Sequence, residues 1–502
     1  MSLTPGRPEH TRWPALLHDK LERTHPLVRK LAALDPTASV DLAADPYTLS
    51  LAEADAGEYE RVQAQGKLVF HTLGGSRSAW HPDARVAVVA AMTAQLQQPA
   101  PASFLYHLGD IISDTGETDL SQRYAEEFYA VYDGYHRRIF AIPGDQDGSY
   151  REEEKDGRLK LNESSLWRFL QNFCAPTAEF SPDAAGRSGR KTMTQPAPYW
   201  LLDTPVAYLI GLHTHGTNGG HLDDPEAADY PYGPQYRWLV NRLTAIRREN
   251  LQRAQRLSPP KATLLMLHHP PYSGGANFHA EGDPRVWHAQ PRYPHAIPLG
   301  MLLQEAFRDS SQRPDAVFSA HARHYERLTY CYRDGFQIPY VSIGDNDWTP
   351  AAAPGRNYMP HTHGERPAIP PFALNPMALP EGLKLGENRG MVHRYNACDP
   401  GFLRLVVDET NRQLIGEFYA RPVLQVPAEP GSRLYEEAAP ETLQDLPSDQ
   451  FVLDLRSHKL LRGPRGMRSP STPLRTVAYR RAFSLWNNPL FTARIRPSHR
   501  SE

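Results

Sequence analysis

The chain has 502 residues, enough for one large domain with extensions or for two or three domains, and its apolar (40%) and charged (22%) fractions are those of a globular protein. A formal net charge of −2 argues against nucleic acid or an acidic membrane surface as a partner selected by overall charge. The three cysteines lie far apart and indicate a reducing compartment, and neither a secretory signal nor a membrane-spanning apolar window is visible, so we expect a cytoplasmic protein.

The first 66 residues are predicted to form a helical extension, because apolar residues recur at helical spacing in segments such as LAEADAGEYERVQAQ (51–65). From residue 67 onward strands and helices alternate, which predicts a parallel sheet covered by helices, the α/β class. The predicted strands cover 67–75, 103–110, 139–142, 206–213, 262–269, 315–321, 328–333 and 338–345, and the predicted helices cover 83–97, 126–138 and 234–255.

The C-terminal third changes in composition twice. Residues 346–400 are rich in Pro, Asn and Gly and are predicted to be a long loop, and 401–420 read as a closing hairpin, so we place the main domain at 67–425. Residues 426–502 are first acidic and then basic, since 456–501 contain eleven Lys or Arg and no acid. This pattern predicts a solvated tail that folds over its own domain, with a binding arm as the alternative.

Five predicted strand ends carry clusters of polar residues. The C-terminal ends of parallel strands meet at one edge of a sheet, where α/β proteins bind ligands. The clusters are TLGGSRS (72–78), HLGDIISDTGE (107–117), IPGDQDGSY (142–150), MLHHPPYS (266–273) and SAHARHYER (319–327).

These clusters, in this order, resemble the motifs of the calcineurin-like metallophosphoesterases, in the branch that includes the purple acid phosphatases. The resemblance covers about 67–345 and extends to the hairpin that ends near residue 420. It implies a four-layer αββα sandwich and a phosphoric ester hydrolase with two divalent metals bridged by a carboxylate. The chemistry expected of such a site is polarisation of phosphoryl oxygens and activation of a bound water.

Five positions of the resemblance carry residues that suit a metal site. Asp110 stands at the bridging carboxylate, and His268 and His321 at two further ligand positions. Asp145 stands where the family has a ligand Asn, and Asp147 matches an acid behind the ligands. The resemblance therefore implies that Asp110, Asp145, His268 and His321 bind one metal.

Three other positions depart from the pattern. Gly75 replaces a ligand Asp, and Arg323, whose guanidinium binds no metal, replaces a ligand His. Gln146 replaces a His associated with proton donation, and a carboxamide donates no proton near neutral pH. We therefore expect an altered catalytic site of Gln146, Asp147 and Arg323, in which one metal is lost and Arg323 lies against Asp110 and grips a phosphate.

Neighbouring residues complete the predicted site. The loop after His268 places Ser273 and His279 as substrate contacts, with a plain lid as the alternative. His269 is expected to point away from the site, because side chains alternate along a strand.

Three states of the metal site remain open. In the first state the site binds one divalent metal (zinc, manganese or iron). In the second it binds no metal, and the retained residues have no function in metal binding. In the third state, pairs such as His213 with His215 or His361 with His363 rebuild a two-metal site.

Three functions remain open as well. The first is a phosphoric ester hydrolase acting on a small phosphate ester or a phosphoprotein. The second is an inactive pseudophosphatase that binds a phosphate-bearing ligand or a protein partner. The third, a nucleic-acid-associated protein working through the basic tail, lacks any nucleic-acid-binding motif.

Overall fold

The computed structural model describes part of the chain, and every described residue belongs to one compact unit, Met1–Leu461; a second unit, Arg462–Glu502, lies outside the described residues. Among the described residues no helix has the length and apolar character needed to cross a bilayer. The described residues are 42, 45–75, 82–113, 120–147, 152–155, 158–161, 165–214, 221–223, 228–272, 297, 299–322, 325–344, 372–373, 377–378, 389–396, 400–421 and 447–461.

Strands and helices alternate through most of this unit. The strands are β1 (Thr48–Ser50), β2 (Lys67–Leu73), β3 (Phe104–His107), β4 (Arg138–Ala141), β5 (Glu152–Lys155), β6 (Arg158–Leu161), β7 (Trp200–Asp203), β8 (Ala207–Gly211), β9 (Ala262–Met266), β10 (Ala316–Ser319), β11 (Tyr325–Cys331), β12 (Gln337–Ile343), β13 (Phe372–Ala373), β14 (Met377–Ala378), β15 (Arg389–Asn396), β16 (Gly401–Asp408), β17 (Gln413–Ala420), β18 (Asp449–Asp454) and β19 (Lys459–Leu461). The α-helices are α1 (Leu51–Ala54), α2 (Ala56–Gln65), α3 (Pro82–Gln95), α4 (Leu120–Arg123), α5 (Ser165–Phe173), α6 (Pro234–Gln255) and α7 (Leu299–Asp309), and a π-helical turn (Tyr124–Tyr129) follows α4.

Two multi-strand sheets form the α/β fold. The seven-stranded sheet has the order β19-β18-β17-β16-β2-β3-β4, and its strands β2, β3 and β4 are parallel. The ten-stranded sheet has the order β1-β7-β8-β9-β10-β12-β11-β15-β13, with β14 also paired to β15. Strands β8, β9, β10 and β12 of this sheet are parallel. Each sheet therefore has a parallel block whose strand ends can carry a site.

Buried apolar residues form two main clusters, which use opposite faces of the ten-stranded sheet. Leu264 and Met266 of β9 share a cluster with Phe70 and Leu105 of the seven-stranded sheet. Leu265, between them in β9, belongs to the other cluster. That cluster includes Trp238 and Leu243 of α6 and Leu303 of α7. Alternation along β9 therefore directs one face to residues of the other sheet and the opposite face to helices.

Helix α6 matches its predicted bounds, 234–255, and its start is fixed by a distant carboxylate. Pro234 occupies the first turn, where its missing N–H is tolerated. Asp223 accepts the N–H groups of Gln235 (3.0 Å) and Tyr236 (2.8 Å), which no carbonyl inside the helix could accept. The helix is thereby anchored next to the segment that follows β8.

Strands outside the predicted main domain, 67–425, pair with its two sheets at both ends. Strand β1 pairs in parallel with β7, and the buried Asp45 just before it forms an ion pair with Arg242 of α6 (3.3 Å), so this part of the predicted helical extension belongs to the main unit. Strands β18 and β19 extend the seven-stranded sheet beyond β17, so 449–461 are not a solvated tail. Unpaired, these segments would leave apolar side chains and edge hydrogen-bonding groups exposed.

Other elements differ from their predicted bounds, and one predicted element lies outside the described residues. The helix predicted over 126–138 is a short π-helical turn, and the predicted loop at 346–400 contains β13, β14 and β15. Strand β7 and helices α5 and α7 are not predicted. The helical pattern before residue 41 lies outside the described residues.

Candidate metal centre

The candidate site lies where strands of both sheets end. Asp110 follows β3 and Asp145 follows β4 in the seven-stranded sheet, whereas His268 follows β9 and His321 follows β10 in the ten-stranded sheet. These four residues, predicted as ligands of one metal, form a connected group: Asp145 contacts both histidines, and Asp110 contacts His268.

Two glycines allow the strand ends to approach this closely. A Cβ atom at Gly144 would overlap the backbone nitrogen and a carboxylate oxygen of Asp110. Gly109 has φ +90°, and a Cβ there would overlap the backbone of Gly144 and lie 2.8 Å from His268 Nδ1. Side chains at either position would separate the carboxylates from the imidazoles.

One carboxylate oxygen and two ring nitrogens converge at the centre of the site. Asp145 Oδ1 lies 2.9 Å from His268 Nε2 and 3.1 Å from His321 Nδ1, and the two ring nitrogens are 3.2 Å apart. His268 Nδ1 lies 2.8 Å from the carbonyl oxygen of Leu108 and donates its N–H to it, so Nε2 is the ring nitrogen that faces Asp145 and that a metal would bind in place of a proton. A ring held in this tautomer by an outer acceptor is the arrangement of a metal-binding histidine.

The charges of the site also fit a bound cation. Burial lowers the pKa of His268, but the carboxylates of Asp110 and Asp145 outweigh it and raise this pKa to about 9. Burial alone would raise the pKa of Asp145. Its interactions with His321 and His268 outweigh burial and hold this pKa well below its usual range. The carboxylates therefore require a positive charge among them, and the donor set of imidazole nitrogen and carboxylate oxygen fits zinc, manganese or iron.

Gln146 connects the two carboxylates. Its backbone N–H donates to Asp110 Oδ1 (3.0 Å), and its side-chain Nε2–H donates to Asp145 Oδ2 (3.0 Å). The second bond directs the other oxygen of Asp145 toward the imidazoles. Gln146, predicted as part of an altered catalytic site, thus has a visible orienting role.

Asp147, predicted as part of the altered catalytic site, has contacts that position the loops around that site. Its fully buried carboxylate accepts the N–H groups of Ile111 (2.8 Å), Ile112 (3.1 Å) and Gly144 (2.9 Å). Burial, followed by the charge of Asp110, raises its pKa to about 7, although the backbone N–H groups oppose this. The carboxylate holds together the two loops that present Asp110 and Asp145.

The prediction that His269 points away from the site is wrong. Its ring lies 4.4 Å from the ring of His321, centroid to centroid, and 4.9 Å from that of His268. One ligand atom from each of Asp145, His268, His269 and His321 lies within 4.8 Å of the others. The alternation of side chains between the two faces of a strand does not extend to His269, because β9 ends at Met266, before either histidine. The consecutive histidines just after a strand were the signal available in the sequence.

The remaining predicted residues divide into described and undescribed ones. Gly75 is buried, and its N–H donates to the carbonyl of Gly109 (2.9 Å), so it lies beside the site and offers no ligand atom. His213 is described and is not in the convergent group. The predicted residues outside the described part of the chain are Arg323, Ser273, His279, His215, His361 and His363.

Comparisons with known proteins add little. No protein-family profile and no curated protein matches the chain. Among solved structures the chain is similar to one titled "GAP50 the anchor in the inner membrane complex of Plasmodium", with a TM-score of 0.36 and 12% identity, covering 70% of this chain and 84% of that chain. A similarity at this level carries no argument about fold or function.

Proposed function

We propose that this chain is a calcineurin-like metallophosphoesterase, a four-layer αββα sandwich that binds one divalent metal and hydrolyses a phosphoric ester. The supporting observation is the convergence of Asp145 Oδ1 with ring nitrogens of His268 and His321 at 2.9 and 3.1 Å. The shared apolar cluster of the two sheets supports the layer arrangement.

Asp145, His268 and His321 would hold the metal, with Asp110 beside them. A divalent metal there supplies a Lewis acid for a phosphoryl oxygen and lowers the pKa of a bound water. Gln146 orients Asp145, and the Leu108 carbonyl sets the tautomer of His268. The substrate is proposed to be a small phosphate ester or a phosphoprotein. A cytoplasmic location is proposed as well, because the three cysteines lie far apart in the sequence.

One observation favours the pseudophosphatase as a second candidate. The side-chain amide of Gln146 is bonded to Asp145, and it could not protonate a departing oxygen in any orientation. A positioned proton donor contributes roughly 10²- to 10⁴-fold in rate, so its loss lowers turnover strongly. Binding of the phosphate ester would be retained, because it does not depend on that proton.

Metal analysis of the purified full-length protein, combined with assays on p-nitrophenyl phosphate and bis(p-nitrophenyl) phosphate, tests the proposal. We expect about one metal per chain, and loss of both metal and activity in Asp145→Ala and His268→Ala. His136→Ala, which alters an exposed histidine, is the control and should behave as the parent protein. A parent protein that binds metal without turnover would favour the pseudophosphatase, and one that binds neither metal nor phosphate ester would contradict both.

A second assay examines the missing proton donor. Gln146→His should raise the rate on phenyl phosphate more than on p-nitrophenyl phosphate, because the poorer leaving group needs protonation more. An equal change on both substrates would show that the substitution acts through the orientation of Asp145.

A further inference from the structure

His269 is placed as a member of the candidate site. Only 1% of its surface is exposed, and its ring packs at 34° to the ring of His321 and at 89° to that of His268. The group whose ligand atoms lie within 4.8 Å of one another contains His269 with Asp145, His268 and His321. Asp110, expected to be the fourth ligand, is not in this group.

Thr214 holds His269 by two contacts. The backbone N–H of His269 donates to Thr214 Oγ1 (3.0 Å), and ring Nδ1 lies 3.1 Å from the same oxygen. When Nδ1 carries the proton and donates it to this hydroxyl oxygen, Nε2 keeps the lone pair that a metal needs. His268 has the same arrangement, with Nδ1 held by the carbonyl of Leu108 (2.8 Å). In that tautomer the two adjacent histidines share the outer-acceptor pattern of metal ligands.

The carboxylate of Asp110 contacts a backbone N–H and lies farther from the imidazole of His268 than that of Asp145 does. Its Oδ1 accepts the backbone N–H of Gln146 (3.0 Å) and lies 3.5 Å from His268 Nε2. In this position the carboxylate places negative charge next to the ligands.

We propose that His269 is a direct ligand of the metal, so that the donor set is one carboxylate and three imidazoles: Asp145, His268, His269 and His321. Asp110 then acts as a charge beside the site, outside direct coordination. This inference rests on the metal site of the proposed function and names its ligands. A set dominated by imidazole favours Zn²⁺ over Mn²⁺ or Mg²⁺, which prefer oxygen ligands.

The test uses the full-length protein, stripped of metal and reloaded with Zn²⁺. Zinc affinity is measured by competition with a chromophoric chelator, and X-ray absorption counts the imidazole ligands. We expect three imidazoles in the parent protein and two in His269→Ala, whose zinc affinity falls at least about a hundredfold, since loss of an outer partner alone costs about 10- to 100-fold. Thr214→Val, which replaces the hydroxyl by a methyl group, should weaken zinc binding about tenfold, the usual effect of removing an outer partner. Asp110→Asn should retain all three imidazoles.

His136→Ala is the control for the loss of a histidine, since this side chain is exposed and outside the group. The inference would be overturned if the parent protein showed two imidazole ligands and His269→Ala bound zinc as tightly as the parent protein. The proposed one-metal function would then still stand. Parent protein that binds no zinc would overturn both. The imidazole count in the parent protein requires no variant, so the test stands even where His269→Ala fails to fold, which its melting curve without metal would show.

Discussion

At the scale of single residues, two residues of the site have strained backbone conformations. Asp110 has φ 55° and His321 has φ 56°, the left-handed region that residues other than glycine rarely adopt. Each such residue costs about 1–3 kcal/mol and persists where the surrounding structure imposes it, often at functional sites. Both residues follow a parallel strand; His321 belongs to the proposed metal-ligand group and Asp110 lies beside it, so the strained residues are located at the candidate site.

The positioning role of Asp147 can be measured as stability. Asp147→Ala would leave three buried N–H groups, those of Ile111, Ile112 and Gly144, without their acceptor. Each unsatisfied buried donor costs roughly 1–3 kcal/mol, so the free energy of unfolding in urea should fall by about 3 kcal/mol or more.

Asp133→Ala is the matched control for Asp147→Ala. Asp133 also accepts a backbone N–H, that of Gly189 (3.2 Å), but at an exposed position where water can replace it. The expected loss is below about 1 kcal/mol. Equal losses in the two variants would show that Asp147 has no special part in holding the loops.

The sequence indicates the site residues only as far as strand ends can be located. Asp145 and His321 were found because each follows an apolar run and matches a motif. His269 was missed because alternation was applied past Met266, where the chain is no longer a strand. The bonds of Gln146 to two carboxylates depend on the meeting of loops from separate strands, which no local pattern encodes.

At the scale of elements, β18 is the strand that most changes the predicted organisation. Asp449, Phe451 and Leu453 are buried, and the residues between them are partly exposed, so the strand alternates as a half-buried strand should. The acidic and basic composition around it concealed this short pattern. By contrast, β2, β3 and β9 were predicted because their apolar segments alternate with helical patterns and are followed by glycine or polar residues.

Asp449 also links the two sheets. Its carboxylate accepts from Tyr325 Oη (2.8 Å) and from Arg327 Nε (2.7 Å), both in β11 of the ten-stranded sheet. Asp449→Ala would leave a buried guanidinium without this partner, which typically costs about 3–5 kcal/mol. We expect a loss of this size in the free energy of unfolding.

The control for Asp449→Ala lies at the other end of the same strand. Asp454 accepts from the exposed Ser457 hydroxyl (2.6 Å), and Asp454→Ala should cost less than about 1 kcal/mol. A small effect of Asp449→Ala would mean that residues after 427 contribute little to the core, as the tail prediction held.

At the scale of the whole molecule, buried histidines make stability depend on pH. His71 lies in β2, fully buried, with Nδ1 3.0 Å from Tyr135 Oη and Nε2 3.1 Å from Gln95 Oε1. The amide oxygen accepts Nε2–H, so Nδ1 accepts the tyrosine hydroxyl and the ring is neutral. Burial lowers the pKa of His71 from 6.5 to about 3, against the opposing hydrogen bond of Gln95.

The sign of this effect follows from proton counting. Between pH 6.5 and about 3 the unfolded chain binds a proton at His71 and the folded chain does not, so the free energy of unfolding falls as the pH falls. The slope from one such group is about 1.4 kcal/mol per pH unit, or about 2 kcal/mol between pH 6.5 and 5. His71→Gln keeps a polar side chain that does not titrate, so its free energy of unfolding in urea should fall less over this range, by about that amount. Parallel pH curves for the parent protein and His71→Gln would show that His71 takes up a proton in the folded state, which would mean that the interior between β2 and its neighbours admits a charge.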